Sequence, residues 1–423
     1  MSTTTVEQTT ASSGSGVSPR DRRFGVFAVV LALGTIAAFG RHVGGQVATF
    51  DLNVGSQLAT LPALRLPVLA TVVVLALAMG TIGVVQATRG AGRRSVLAVG
   101  TVVALFVLAF LTWAAGDGSL NLMALLRGTI RGAVPLTFGA LAGVLCERSG
   151  VINIAIEAQL LTAAFVAAVV ASIASNPWLG LVAGALAGVA IASLLGVLTI
   201  RYRADQIIVG VVLVVFASGL TGFLTGQVLV PNPQLNAPSR FRPMDLPVLS
   251  ELPVLGPLLF GQSILVLMMF ATVVAVHLLL LRTRWGLRVR SVGEHPKAAD
   301  TVGIDVLRVR YQAVLLGGLV AGIGGAYFTL DSAAQFSRDM SAGRGFIALA
   351  AMLVGRYSPV GAFGAALVFG FAESLATSLS IAGVPIPSDF LLMAPYLATI
   401  LVVAGVVGRV RVPAADGQPY VKE

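Results

Sequence analysis

From Phe24 onward the chain alternates long apolar stretches with short polar connections, and the length of the stretches predicts helices rather than strands. A helix needs roughly 20 apolar residues to cross the hydrocarbon of a bilayer. By that measure spans are predicted to begin near Phe24, Leu66, Ser95, Thr129, Val151, Leu179, Gln206, Ser263, Tyr311, Phe346, Gly361 and Phe390. The predicted fold class is therefore all-α and polytopic, with about 10–12 membrane segments, several of them short. Met1–Arg23 is rich in Ser and Thr, has no hydrophobic face and ends in Arg20, Arg22 and Arg23, so residues 1–23 read as a disordered cytoplasmic tail. Phe24–Gly40 is short enough to suit a cleaved signal peptide, but its long polar lead and the many later spans point to an uncleaved first helix. With that tail inside, the Arg and Lys residues divide into about 20 inside and about 8 outside, the asymmetry expected of cytoplasmic loops, and both termini are placed in the cytoplasm.

Three patterns refine this outline. The connection Val230–Gln262 is dense in proline from Pro231 to Pro257, which suits an extended external cap and not a helix. Gly180, Gly184, Gly188, Ala192 and Gly196 recur every fourth residue, a small-residue stripe against which another helix backbone can pack. Phe138, Ala140, Leu141, Ala142, Leu145 and Arg148 return at one constant offset as Phe346, Ala348, Leu349, Ala350, Leu353 and Arg356. Paired short or broken segments in the two halves of a membrane protein are where a midplane substrate path is expected, and the predicted topology runs the two copies in the same direction.

Composition narrows the chemistry. The chain is 57% hydrophobic and 11% charged, and its mean hydropathy is +0.92. The net charge of +10 sits in clusters between apolar runs and forms no basic surface stripe, so no nucleic-acid partner is expected. One cysteine, Cys146, and three histidines, His42, His277 and His295, offer neither a disulfide framework nor a zinc spacing. The only lysines, Lys297 and Lys422, close no G-x-x-x-x-G-K-[ST] phosphate loop, so no ATPase site is expected in this chain. In the polar loop 282–310, Pro296 suits the first turn of a helix, Ala298 and Ala299 its interior and Gly303 its end, which predicts a helix of about two turns. A helix that short needs a docking surface; a plain solvated loop is the alternative.

That loop, continuing as GLRVRSVGEHPKAADTVGIDVLRVRYQAVLLGGLVAGIGGAYFTL, resembles the cytoplasmic loop and following helix of ABC permeases that import ribose, other simple sugars, nucleosides and branched-chain amino acids. The segment LCERSGVINIAIEAQL resembles the E-R-x-G-x-x-N-x-G-x-E-G stretch of the nucleoside and simple-sugar branch. With YSPVGAFGAALVFGFAES the resemblance runs from about Thr129 to Gly408. It implies a permease core over residues 128–408, preceded by extra membrane segments over 24–127 and followed by a cytoplasmic tail over 409–423. It further implies a coupling loop over 282–308, in which Glu294, Pro296, Ala298, Ala299 and Gly303 form a helix seated in a separate ATP-binding subunit. ATP and Mg would be bound by that subunit, with no cofactor in this chain. A second permease subunit, favoured as a paralogue, and an extracytoplasmic solute-binding protein, soluble or lipid-anchored, complete the implied assembly in the bacterial plasma membrane. The function expected is inward movement of nucleosides or simple sugars. A branched-chain amino acid permease is the nearest alternative, and an ion-coupled secondary transporter or a non-transporting scaffold is more distant.

For the path itself, Asn153, Glu157 and Gln159 follow a helix break predicted at Ser149–Gly150, and Glu373 with Ser374 lies in a later span. A carboxylate at bilayer depth costs roughly 2.5–3.5 kcal/mol on insertion scales, so it faces a partner or a wet cavity. The sequence leaves both readings open for Glu157 and Glu373: pathway residue, or hydrogen-bonding cap of a broken helix. Ala155 and Ala158 stand where the family more often has glycine.

Overall fold

A computed structural model of the chain describes residues 17–41, 45–53, 62–90, 95–245, 256–382, 387–393, 396, 400 and 411–422. Among these, ten helices are long and apolar enough to cross a membrane. The chain divides into two compact units, one ending at Asn121 and the other running from Leu122 to the C-terminus with residues 53–61.

The first unit holds α1 (Pro19–Phe39), α2 (Val68–Arg89) and α3 (Ser95–Ala115). Strand β1 (Val47–Asp51) pairs antiparallel with β2 (Leu64–Pro67) and parallel with β3 (Ser119–Asn121). Helix α1 starts earlier than the sequence suggests: Ser18 accepts a hydrogen bond from the Asp21 N–H at 3.1 Å and Pro19 opens the helix, so Arg20–Arg23 are helical and not part of a disordered tail. Residues 1–16 of that expected tail lie outside the described residues. Gly25 and Gly83 bring the α1 and α2 backbones together, because a Cβ on Gly83 would stand 2.8 Å from the Gly25 carbonyl.

The second unit is the helical core: α4 (Leu122–Glu147), α5 (Ile156–Ala174), α6 (Pro177–Gly196), α7 (Gln206–Leu224), α8 (Ile264–Arg282), α9 (Arg284–Glu294), α10 (Pro296–Thr301), α11 (Val306–Tyr327), α12 (Arg344–Val354), α13 (Pro359–Ile381) and α14 (Ser388–Leu392). Helix α4 is at its centre, packed against α8, α11, α12 and α13. The small-residue stripe does what its spacing predicts. A Cβ on Gly188 would lie 2.7 Å from Gly322 Cα, one on Gly180 would lie 2.8 Å from the Ala167 carbonyl, and α6 thereby nests between α5 and α11.

Three of the predicted segments need correction, and a fourth lies mostly outside the described residues. The segment near Phe346 is an 11-residue half-helix, α12, too short to span. Helix α5 opens at Ile156, not Val151, because Gly150 turns the chain at φ +85° and the Ile152 N–H is taken by Gln206 Oε1 at 2.6 Å instead of by a helix carbonyl. Helix α4 opens at Leu122, about two turns before Thr129. The segment near Phe390 is described only as α14, and most of its later residues lie outside the described set. In the proline-rich connection, β4 (Pro243–Asp245) pairs antiparallel with β5 (Gly261–Ser263), and Asn236 exchanges hydrogen bonds with the Phe336 backbone at 2.9 and 2.7 Å. Residues 246–255 lie outside the described set.

Candidate functional site

The site is built on a broken helix. Gly139 of α4 faces Ala348 of α12, and Gly143 faces Met352, so the two echoed segments pack side by side and run in the same direction, as the predicted topology has them. That register sets Arg344, the first residue of α12, level with Pro135, the middle of the 26-residue α4. A helix that begins level with the middle of its neighbour leaves its first N–H groups without intrahelical partners deep in the bundle. Glu157, at the start of α5, meets them: its carboxylate accepts from Ser341 Oγ at 2.7 Å, the Gly343 N–H at 2.8 Å and the Gly345 N–H at 2.6 Å. The backbone fits closely enough that a Cβ on Gly345 would lie 2.5 Å from Glu157 Cα. Asn153 and Gln159, both fully buried, pair with each other at 3.3 and 3.4 Å and close the break on the α5 side.

Above the α12 N-terminus lies a cavity of about 920 Å³ bounded by α4, α11, α12, α13 and the connection before α8. Its charged lining is Arg131, Arg240, Arg242, Asp331, Arg344 and Glu373, interleaved with Phe241, Tyr327 and Phe328. Arg344 forms an ion pair with Glu373 and places its guanidinium 5.7 Å from the centre of the Phe328 ring. The pair is about one-third exposed, 27% and 33%, which leaves both partners able to meet a guest in the cavity. Ser374, also on the lining, donates its hydroxyl to the Leu125 carbonyl at 2.8 Å. Arg131 donates to Gln262 Oε1 at 3.3 Å, and Arg127 to the Gly261 carbonyl at 2.9 Å, tying β5 to α4.

At the opposite end of α4 sits the polar loop. The predicted short helix is α10, opened by Pro296 and closed by Gly303 at φ +83°. Helix α9 is not among the predicted elements, although Trp285, Val289 and Val292 fall on one helical face between the arginines. Gly293 seats against the Arg148 carbonyl with no room for a side chain, and Arg148 Nε donates to the Tyr357 carbonyl at 3.0 Å. Burial lowers the Arg148 pKa, and Glu294 opposes that shift. Ala299 is turned inward, 4% exposed, whereas Lys297, Ala298 and Val302 face outward. Glu294 accepts from the Ala414 N–H at 3.3 Å.

The structure thus divides the sequence-predicted residues. Glu373 and Ser374 line the cavity; Asn153, Glu157 and Gln159 do not. Glu294, Pro296, Ala298, Ala299 and Gly303 gather at the other end, with Ala299 on the inner face. Arg344, Asp331 and Phe328 are not singled out by the sequence. Arg344 leaves a signal there, a single cation between Gly343 and an apolar run. Among the described residues no group of His, Cys, Asp and Glu could hold a metal ion.

A helical membrane bundle with a capped half-helix at mid-span, a polar cavity on one side of it and a short helix pair at the far end defines the membrane component of a solute transporter. The chain belongs to the branched-chain amino acid transport system / permease component family, which matches residues 125–406. It is 39% identical over 304 residues to the guanosine ABC transporter permease protein NupQ of Bacillus subtilis, covering 69% of this chain and 94% of that one. It is 41% identical over 301 residues to the nucleoside ABC transporter permease protein NupC of Lactococcus lactis, with the same coverage. To the glucose ABC transporter permease protein TsgB13 of Haloferax volcanii it is 31% identical over 267 residues, 60% of this chain and 70% of that one. No solved structure matches the chain. The chain is a permease component of an ABC importer, in the nucleoside and simple-sugar branch, and a multi-pass protein of the plasma membrane.

Proposed function

We propose that this chain forms half of the membrane path of an importer of nucleosides, driven by ATP that a separate subunit binds with Mg and hydrolyses. The cavity carries this reading. Its aromatic rings and guanidinium planes suit a nucleobase face, and its carboxylates suit ribose hydroxyls. Arg344 and Glu373 are the groups proposed to meet the solute, because they are charged, accessible and paired across α12 and α13. The nucleoside named for two relatives supports the same solute class.

Helix α10 is the proposed seat for the ATP-binding subunit. Ala298 and Val302 form its outward face, Val302 being 74% exposed, and Pro296, Ala299, Gly303 and Glu294 hold that face in place. Closure of two ATP-binding subunits would draw this helix and its counterpart on a second permease together and tip the path between outward- and inward-open states. An extracytoplasmic protein would deliver the solute on the cavity side. The segments before residue 125 lie outside the family match and are proposed as an addition to the transport core.

Uptake of labelled adenosine by cells with and without this chain tests the solute, with guanosine, ribose, glucose and leucine as unlabelled competitors. Chain-dependent uptake blocked by nucleosides alone is the expected result; block by leucine or a sugar alone reassigns the solute. Glu373→Gln is expected to lower uptake several-fold in a fully assembled complex, and wild-type kinetics would remove the pair from the path.

A further inference from the structure

The chain's last described segment, Arg411–Lys422, folds back onto the loop that carries α9 and α10. Its backbone is stitched there: the Ala415 N–H donates to the Gly293 carbonyl at 2.9 Å, and the Ala414 N–H to Glu294 Oε2 at 3.3 Å. From the other side Arg310, on α11, donates Nη1 to the Gln418 carbonyl at 2.9 Å and Nε to the Ser149 carbonyl at 3.2 Å, so one side chain joins the segment to the α4–α5 turn. Tyr420, 7% exposed, is buried in the same apolar cluster as Val289, Val292, Ala299, Val306 and Val309. Lys422 Nζ reaches Asp300 of α10 at 3.8 Å. The fit tolerates no added bulk: a Cβ on Gly150 would lie 2.9 Å from the Ala415 carbonyl, and one on Gly417 would lie 2.8 Å from Ile152.

A six-residue helix has no stability of its own and takes its position from what surrounds it. For α10 those surroundings are α9, the start of α11 and this segment. We propose that residues 411–422 are a clamp that fixes α9 and α10 to the α4–α5 turn, so that force applied to α10 reaches the broken helix and does not merely swing the loop. The clamp rests on the reading of α10 as the seat of the ATP-binding subunit. Its direct link to α9 is the backbone bond from Ala415 to Gly293, backed by the Arg310 bridge, and neither group faces the cavity.

The test uses the assembled transporter with the full chain, a chain ending at Val410, and the point variant Ala415→Pro, which deletes one N–H and keeps the segment. Two quantities are measured: amide exchange over residues 284–304, and solute moved per ATP hydrolysed. Both variants are expected to insert and pair normally and to move less solute per ATP; Ala415→Pro is expected to exchange about fivefold faster over 284–304, as loss of one net backbone hydrogen bond predicts, and the shortened chain, which loses every link of the segment, faster still. Unchanged exchange overturns the clamp, whatever docks on α10. Faster exchange with an unchanged transport ratio overturns its role in transmission. Ala298→Arg reports separately on the seat: wild-type uptake in that variant overturns the docking reading and the transmission role with it, while loss of uptake leaves the two clamp measurements to decide.

Discussion

Glu157 is buried at mid-span, where a lone carboxylate would be costly, and its three hydrogen bonds serve one task, closing the N-terminus of α12. Its replacement therefore acts first on the fold. Glu157→Ala leaves two N–H groups and a hydroxyl unmet and is expected to cost about 3 kcal/mol or more, seen as a lowered thermal midpoint of the purified protein; an unchanged midpoint would mean the cap contributes nothing. Asp416 is the residue where pH acts. Burial pushes its carboxyl from 3.8 up to about 6, against the opposing influence of Glu147, the Gly417 backbone and Arg310; Tyr357 also lies within its electrostatic reach. The folded pKa is above the unfolded one, so the protonated form supports docking of the segment, fully below about pH 4 and progressively less as pH rises through 6. Protection of residues 411–422 from amide exchange, corrected for intrinsic rates, is expected to be greater at pH 5 than at pH 7.5, and Asp416→Asn to remove that difference. At this scale the sequence names residues better than roles. Glu157 reads equally as path or cap until Ser341, Gly343 and Gly345, more than 180 positions away, are seen around it. Ala298 and Ala299 read alike because a six-residue helix has too few apolar positions to declare a face, and only the structure turns Ala299 inward.

Helix α6 shows the opposite case, an element whose packing is legible from residue spacing alone. Four-residue spacing of Gly180, Gly184, Gly188, Ala192 and Gly196 predicts one face of close backbone approach, and Gly188 meets the α11 backbone at Gly318 and Gly322. Gly188→Leu is expected to force α6 and α11 apart and to destabilise the protein by about 1–3 kcal/mol or more, with the loss read from thermal unfolding; a Leu accommodated at no cost would contradict the packing described. The echo between α4 and α12 is equally legible in register, and the polar residues on either side of α12, Arg338 to Ser341 before it and Arg356 to Ser358 after it, hold its apolar run short of a full span. Helix α9 is hidden by its arginines, which break the apolar run without breaking the helical spacing of Trp285, Val289 and Val292. The start of α5 depends on Gln206 capturing the Ile152 N–H, a long-range bond that no local pattern announces.

On the scale of the whole molecule, hydropathy is enough to give the class, since the ten spans among the described residues and the clustering of arginines follow from the solvent alone. The cavity is not legible, because its lining comes from four helices and the connection before α8, which only tertiary packing assembles. Helix α4 joins the two working ends: Arg131 and Pro135 border the cavity, and the turn after Glu147 receives α9 and the C-terminal segment. The Arg344–Glu373 pair has one more consequence, for the electrical character of transport. An unpaired elementary charge displaced through the membrane field exchanges about 2.3 kcal/mol per 100 mV. A cation and an anion carried together exchange almost nothing, so a cycle that moves the two as a unit with an uncharged solute is nearly blind to the membrane voltage, and its direction is left to ATP.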